Sequence, residues 1–404
     1  MLCVKPSPIE GEFPAPPSKP MSQRYIFASA LAEGATEIGP LELSDDVVAA
    51  LRAIQPISSI ELRGDLAVIE RRTPDRYRAF SVGDSGFTGR VATALYAGIE
   101  GFTAIFMAEQ LSRRPLRDLV DVLSSYARIV WLPGVVLIDS SGVRRVDVKI
   151  RGDVTSQYIS GLMFLSTVAE EGGRIEVTGE RKSWQYVEAT GDVIRIFGGQ
   201  AEVEDNVIYV RGPLKSPGRL AVPGDYSLSA FLMVGAAITG GRARITNLRG
   251  GPDEQIVDIL QDAGVSVVLS DGAVSVEGQP ARPLDVDLST APDLAPPVAL
   301  LGAFTAGASK IRGVQHLAYK ESNRIESISD IVRRLGARAE YSNGVLTVEG
   351  PPRRRDVAFE CHGDHRICLM ALTAMRAVGG CVNDLAPLAK TWPSAVLYLL
   401  QSKP

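Results

Sequence analysis

The chain has 404 residues, long for one core and ample for two domains of about 200 residues each. Its 43 basic and 47 acidic residues leave a net charge of −4 with no basic run. That excludes the footprint of a nucleic-acid binder and makes any cationic function a matter of local clusters. No apolar stretch reaches the about 18 residues that a membrane span needs. The start, Met1-Leu2-Cys3-Val4-Lys5-Pro6, lacks a signal-peptide layout. Cys3, Cys361, Cys368 and Cys381 form no CxxC pair and, in a chain this long, no disulfide framework. The expectation is a cytoplasmic protein with free thiols. Histidine occurs only at His316, His362 and His365, which argues against a multi-histidine metal site.

In chain order, one pattern recurs six times: a polar turn, an apolar helical run, one or two glycines and a strand-like run. The first turn is Pro17-Ser18-Lys19-Pro20-Met21-Ser22-Gln23-Arg24, leading into residues 25–31. The second is Gly83-Asp84-Ser85-Gly86-Phe87-Thr88-Gly89-Arg90. The third, Gly152-Asp153-Val154-Thr155-Ser156-Gln157, and the fourth, Gly224-Asp225-Tyr226-Ser227, precede apolar runs over 159–168 and 230–238. The fifth and sixth are Ala291-Pro292-Asp293-Leu294 and Gly363-Asp364-His365-Arg366. Taking Lys19, Asp84, Ser156, Asp225, Asp293 and Asp364 as markers, the separations are 65, 72, 69, 68 and 71 residues. A unit of about 70 residues is too long for a solenoid repeat and suits a supersecondary unit used three times in each of two lobes.

Each unit also carries a second helix and a hairpin. Residues 253–264 predict an amphipathic helix with Ile256, Ile259 and Leu260 on one face and Gly264 as its stop. Strands over 265–269 and 273–276 flank Ser270-Asp271-Gly272. The scheme repeats with a helix over 321–336 and strands over 337–341 and 345–348 around Ser342-Asn343-Gly344. The first helix of each unit is apolar nearly all round, which predicts burial, with its unpaired N–H groups directed out of the core. Helix starts bind anions, so three such starts per lobe predict anionic substrates in a shared cleft.

The turns and the segments between them are rich in polar groups: Lys19, Arg24, Arg90, Arg113-Arg114-Pro115, Thr155-Ser156-Gln157, Asp293, Lys320-Glu321-Ser322-Asn323-Arg324, His365-Arg366 and Lys390-Thr391-Trp392-Pro393. Arginine grips carboxylate or phosphate with paired hydrogen bonds, and lysine acts as a point charge. Each group also has a plainer reading. Arg113-Arg114 suits a solvated surface pair. Thr155-Ser156 and Asp293 suit helix caps, and Lys320 to Arg324 a charged helix start.

Pro-Ser-Lys followed by Ser-x-Arg, Gly-Asp-Ser-Gly with Arg90, Arg-Arg-Pro with Asp118-Leu119, Thr-Ser-Gln, Lys-Glu-Ser-Asn-Arg, Gly-Asp-His-Arg and Ala-Lys-Thr-Trp-Pro stand in the order of the motifs of the EPSP synthase family. From about residue 14 to 397 the chain resembles that family. The resemblance implies a two-lobed inside-out α/β barrel of six βαβαββ repeats, three per lobe. One lobe is expected over residues 19–223, the other over 1–18 with 224–404. It implies transfer of the enolpyruvyl group of phosphoenolpyruvate to the 5-hydroxyl of shikimate 3-phosphate by addition and elimination. It also implies no cofactor, no metal and a monomer. By motif, Lys19, Gly86, Arg114, Gln157, Arg324, Arg366 and Lys390 would hold phosphoenolpyruvate. Arg24, Thr155, Ser156, Gln157, Ser183, Tyr186, Asp293 and Lys320 would hold shikimate 3-phosphate. Asp293, Glu321, Lys19 and His365 would move protons.

Four positions depart from the family pattern. Pro20 removes a hydroxyl and an N–H, although proline fits a first helical turn. Asp84 stands where Asn is usual, and a carboxylate beside bound anions is unfavourable unless paired. Phe87 replaces a smaller residue, and His316 stands where Asn is frequent. These leave room for an enolpyruvyl transferase with another phosphorylated acceptor, or for a non-catalytic anion-binding paralogue. The sister family acting on UDP-N-acetylglucosamine fits less well, because residues 102–114 hold no cysteine.

Overall fold

The computed structural model describes residues 1–400. They divide into two compact units, Lys19–Val222 and a second built from Met1–Ser18 with the chain from Pro223 onward. Residues 401–404, the end of the expected second lobe, lie outside the described residues. The described strands form six sheets, five of four strands and one of three.

The sheets share one wiring. In Tyr77–Gly83, Gly101–Met107, Ala127–Leu132 and Val135–Ser140, the first two strands run parallel through a buried helix, and the last two close an antiparallel hairpin against the second. Parallel neighbours need a crossover, and a helix supplies it. Where the chain enters and leaves a unit, the wiring is completed from a distance. Arg219–Ala221 pairs parallel with Thr36–Gly39, and Glu10–Pro14 pairs parallel with Arg242–Thr246. In the last sheet Leu2–Val4 lies antiparallel to Gly380–Val382, so the sixth copy has three strands.

The all-round apolar helices are interior. Tyr226–Thr239 is buried from Tyr226 to Ile238, and Ser156–Val168 is buried along nearly its whole length. Each fully buried large aliphatic or aromatic side chain contributes roughly 1.5–3 kcal/mol. Glycine sets the closest helix approach: a Cβ at Gly161 would lie 3.0 Å from the Cβ of Ala94 and 3.2 Å from the carbonyl oxygen of Arg90. The buried helix Gly86–Tyr96 is thereby held against Ser156–Val168.

The two hairpin turns expected from sequence form at Asp271-Gly272 and Asn343-Gly344, all four residues at positive φ, as two-residue turns matched to strand twist require. The second helices are shorter than their apolar pattern. Ile256–Asp262 cannot begin at Asp253, whose φ is +70. Arg324–Arg334 starts only after Asn323, whose side chain caps it by accepting from the Glu326 N–H. Residues 320–323 are therefore a loop, not a helical turn.

The free-thiol expectation is overturned. Cys3 is bonded to Cys381 and Cys361 to Cys368. Antiparallel register sets Cys3 directly opposite Cys381, and a tight turn folds Cys361 back onto the helix carrying Cys368. Partners 378 residues apart leave no local spacing signal. No helix among the described residues is long and apolar enough to cross a membrane.

Candidate active site

In the unit formed by residues 19–222, the starts of three buried helices carry the polar groups. Lys19 opens Lys19–Leu31, and its Nζ lies 2.8 Å from Oδ2 of the buried Asp46. Gln23 donates to Ser85 and Thr88, tying the first helix start to the second. At Gly86 an added Cβ would fall 2.8 Å from Nη1 of Arg90 and 3.0 Å from Nη1 of Arg114. Glycine leaves room for two guanidinium groups to close over this helix start, where backbone N–H groups already favour an anion. Arg90 also donates to Oε1 of Gln157 at 2.6 Å, which reaches the third helix start. Thr155 caps that helix by accepting from the Gln157 N–H, and Ser156 is its buried first residue.

Arg24 is a cation of this unit held from several sides. Its Nε donates to Thr190, its Nη1 to the Pro20 carbonyl and its Nη2 to the Tyr186 carbonyl, all within 2.9 Å. Its guanidinium lies 4.6 Å over the ring of Phe87 and 5.5 Å from that of Tyr186. Burial pushes its pKa down to about 10. Ser183 holds a positive φ just before Gln185–Ile196, the helix that carries Tyr186. The Arg113-Arg114 pair divides: Arg113 is exposed and pairs with Glu109, while Arg114 turns to Gly86. Asp84 accepts from the Leu111 N–H and so anchors the segment leading to Arg114.

In the other unit the cations are interleaved with carboxylates. Arg324 is 2% exposed and aims each guanidinium nitrogen at an acid: Nε to Asp364 at 2.7 Å, Nη1 to Asp293 at 3.0 Å and Nη2 to Glu321 at 2.7 Å. Burial lowers its pKa, but Asp364, Glu321 and Asp293 outweigh that and hold it above the ordinary range. Arg366 donates to the other oxygen of Asp293 at 2.8 Å and to Ser227 at 3.2 Å. Lys320 stands 3.9 Å from Asp293, and Lys390 stands 3.6 Å from Glu321. Here too three helix starts meet: Ser227 near the start of Tyr226–Thr239, Asp293 just before Ala295–Ala303, and His365-Arg366 opening His365–Val378. Asp293 does not act as a cap, because its carboxylate is turned to the arginines.

The two histidines of the HxxH spacing go separate ways, His362 to Asp330 at 2.9 Å and His365 towards Asp364 at 3.9 Å. Glu321, Asp364 and His365 bring ligand-type atoms within 4.8 Å of one another. The Arg324 guanidinium already bridges both of those carboxylates, so a cation occupies the place where their charge is focused. His316 lies half-buried in the short helix Gln315–Tyr319, ahead of Lys320.

Two contributors escaped sequence reading. Asp46 looks like one more acid in the first turn of Asp45–Ile54, and only the fold brings it to Lys19. Asp364 was visible in Gly-Asp-His-Arg but only as a repeat marker. It is fully buried, caps its helix through the Arg366 N–H and holds Arg324.

Residues 3–397 match the family model for EPSP synthase (3-phosphoshikimate 1-carboxyvinyltransferase). A 3-phosphoshikimate 1-carboxyvinyltransferase of Korarchaeum cryptofilum is 32% identical over 410 residues, covering 98% of this chain and 96% of the relative. One from Caldivirga maquilingensis is 37% identical over 368 residues, covering 89% and 88%. Among solved structures, EPSP synthase from Acinetobacter baumannii superposes with a TM-score of 0.82 at 22% identity, over 98% of this chain and 96% of that one. The enolpyruvyl transferase NikO from Streptomyces tendae gives 0.76 at 16% over the same shares. Identities this low carry the fold alone.

Proposed function

The chain belongs to the EPSP synthase family, the 3-phosphoshikimate 1-carboxyvinyltransferases, and we propose that the residues of its two clusters bind the substrates of that reaction and move its protons. The enzyme transfers the enolpyruvyl group of phosphoenolpyruvate to the 5-hydroxyl of shikimate 3-phosphate and releases phosphate. The cluster of residues 19–222 suits the acceptor. Arg24 takes the shikimate carboxylate, Thr155, Ser156 and Ser183 take the 3-phosphate, Lys320 offers a further cation for phosphate, and Tyr186 lines the ring. Gln157 touches both substrates. Lys19, the Gly86 N–H and Arg114 suit the charges of phosphoenolpyruvate, and so do Arg324, Arg366 and Lys390.

The observation that carries this reading is the double hold of Arg324 and Arg366 on the two oxygens of Asp293. A phosphoenolpyruvate carboxylate brought to the same arginines competes with Asp293 for them. As their hydrogen bonds move to the substrate, Asp293 loses two stabilising donors and becomes a stronger base for the 5-hydroxyl proton. The hydroxyl oxygen then attacks C2 of phosphoenolpyruvate while C3 is protonated. Glu321, with Lys19 and His365, serves that proton and takes it back when phosphate leaves. The surrounding cations hold the carboxylate and phosphate charges throughout.

The protein is further proposed to act as a monomer in the cytoplasm. The Cys361–Cys368 bridge is buried beyond easy reach of reductant, whereas Cys3 is exposed and its bridge is the one a reducing compartment opens first. Phosphate release from phosphoenolpyruvate and shikimate 3-phosphate tests the assignment. It should need both substrates and fall by about 10²–10⁴ in Asp293→Asn and Lys19→Ala. Release that is indifferent to the acceptor, or intact in Asp293→Asn, would defeat this reading.

A further inference from the structure

The sixth polar turn is enclosed by a covalent bond. Cys361 and Cys368, seven residues apart, are joined, and the chain between them is His362-Gly363-Asp364-His365-Arg366-Ile367. Every site residue of that turn therefore lies inside the ring the disulfide closes. Both cysteines are buried, Cys361 at 3% and Cys368 at 0% exposure.

The turn needs an external hold. His362 and Gly363 are consecutive left-handed residues at φ +51 and +67, and a non-glycine residue in that region is uncommon. The backbone reverses there because the Asp364 N–H reaches back to the Cys361 carbonyl at 2.9 Å. Asp364 is then placed to cap its helix and to accept from Arg324, and the next two residues are His365 and Arg366. Once the bond opens, two thiol sulfurs must move apart to van der Waals contact within close-packed surroundings. The side that can yield is the turn.

We propose that the Cys361–Cys368 disulfide is a positioning element for the phosphoenolpyruvate half of the site, fixing Asp364, His365 and Arg366 by closing the ring around them. The proposal rests on the reading above, in which Arg366 holds phosphoenolpyruvate and Arg24 holds the acceptor. The cysteines touch no substrate and act through the turn. Opening the bridge takes two electrons and two protons from a dithiol, which leaves as its own cyclic disulfide.

The Cys3→Ala/Cys381→Ala variant retains Cys361–Cys368 as its one bridge, so reduction reports on that bridge alone. The protein is treated with dithiothreitol under warming, alkylated, and its thiols counted by intact mass. Kinetics are measured before reduction, after it, and after reoxidation of an unalkylated portion. Reduction should raise the KM for phosphoenolpyruvate about tenfold or more, leave that for shikimate 3-phosphate within about twofold, and reverse on reoxidation. A Cys361→Ala/Cys368→Ala variant should show the raised value permanently and ignore dithiothreitol. Confirmed reduction with an unchanged KM for phosphoenolpyruvate overturns the proposal. So does an equal loss for both substrates, the mark of mere unfolding, or free thiols at Cys361 and Cys368 in protein purified without reductant. An oxidised enzyme that releases no phosphate defeats the functional reading, and the brace with it. An active oxidised enzyme indifferent to reduction defeats the brace alone.

Discussion

Arg24 in one unit and Arg324 in the other are held in opposite ways, although Lys19 of the first unit also stands against a carboxylate, Asp46. In residues 19–222, Arg24 is held by a hydroxyl, two carbonyls and aromatic rings, and Arg90 by an amide oxygen. In the other unit, Arg324, Arg366, Lys320 and Lys390 all stand against carboxylates. Neutral acceptors orient a cation without cancelling its charge, so the first arrangement is ready to grip an anion. Carboxylates both cancel charge and offer proton acceptors, so the second suits proton transfer. The comparison teaches that residues of one chemical type, at equivalent helix starts of a repeated fold, are given different tasks by what buttresses them.

Paired substitutions test that division most sharply. Glu321→Gln should lower kcat by about 10²–10⁴ with little change in either KM, because it removes a proton carrier and keeps the shape. Arg24→Ala should instead raise the KM for shikimate 3-phosphate, losing a charge-assisted contact of about 1.5–3 kcal/mol, or roughly 10- to 100-fold. Steady-state kinetics with each substrate varied will separate the two patterns. A dominant KM effect from Glu321→Gln would erase the distinction between Arg24 as a binding group and Glu321 as a proton carrier.

The same contrast predicts where stability is concentrated. Asp364 is fully buried, balances the charge of Arg324 and caps the helix His365–Val378. Asp364→Ala leaves Arg324 short of a partner in a dry surrounding and removes the cap, which should cost about 3–5 kcal/mol in urea unfolding. Asp46→Ala removes the comparable partner of Lys19, whose side chain is 14% exposed, and should cost less. Equal losses would mean that water reaches Arg324 as freely as it reaches Lys19.

The periodic part of the fold was legible because each repeat restates a polar turn and an apolar helix, and two of the repeats add an Asp-Gly or Asn-Gly hairpin. What the sequence hides is pairing over distance. Leu2–Val4 completes a sheet with Gly380–Val382, and this register, not any spacing of cysteines, joins Cys3 to Cys381. Nor does spacing tell Arg113 from Arg114, since neighbouring arginines differ only in which faces Gly86. Lys320 to Arg324 misleads as a helical pair because Asn323 caps the helix after Lys320, which frees the loop to turn Glu321 onto Arg324. Motif order placed the charged residues in the right turns. Their partners were set by tertiary packing, which leaves no periodic trace.

The smallest expected effect concerns Phe87, where the family usually has a smaller residue. Its ring lies 4.6 Å from the Arg24 guanidinium, and an edge contact with Phe27 fixes it there. A buried cation over an aromatic face gains about 1 kcal/mol from the ring quadrupole. Phe87→Leu keeps the apolar wall and removes the quadrupole, so the KM for shikimate 3-phosphate should rise roughly fivefold. The pH profile adds a second reading. Burial holds the Arg24 pKa near 10 against an ordinary 12.5, so its grip on a carboxylate is present below about pH 10 and fades above it. Stability runs the other way: between those values the unfolded chain binds more protons, and the penalty for burying the charged form is relieved as pH rises. Without the quadrupole the charged form is less favoured still, and the alkaline rise in KM for shikimate 3-phosphate should begin at lower pH in Phe87→Leu than in the parent enzyme. A variant with both its KM and its alkaline limb unchanged would show that the ring only fills space, and that Thr190, Pro20 and Tyr186 suffice to hold Arg24.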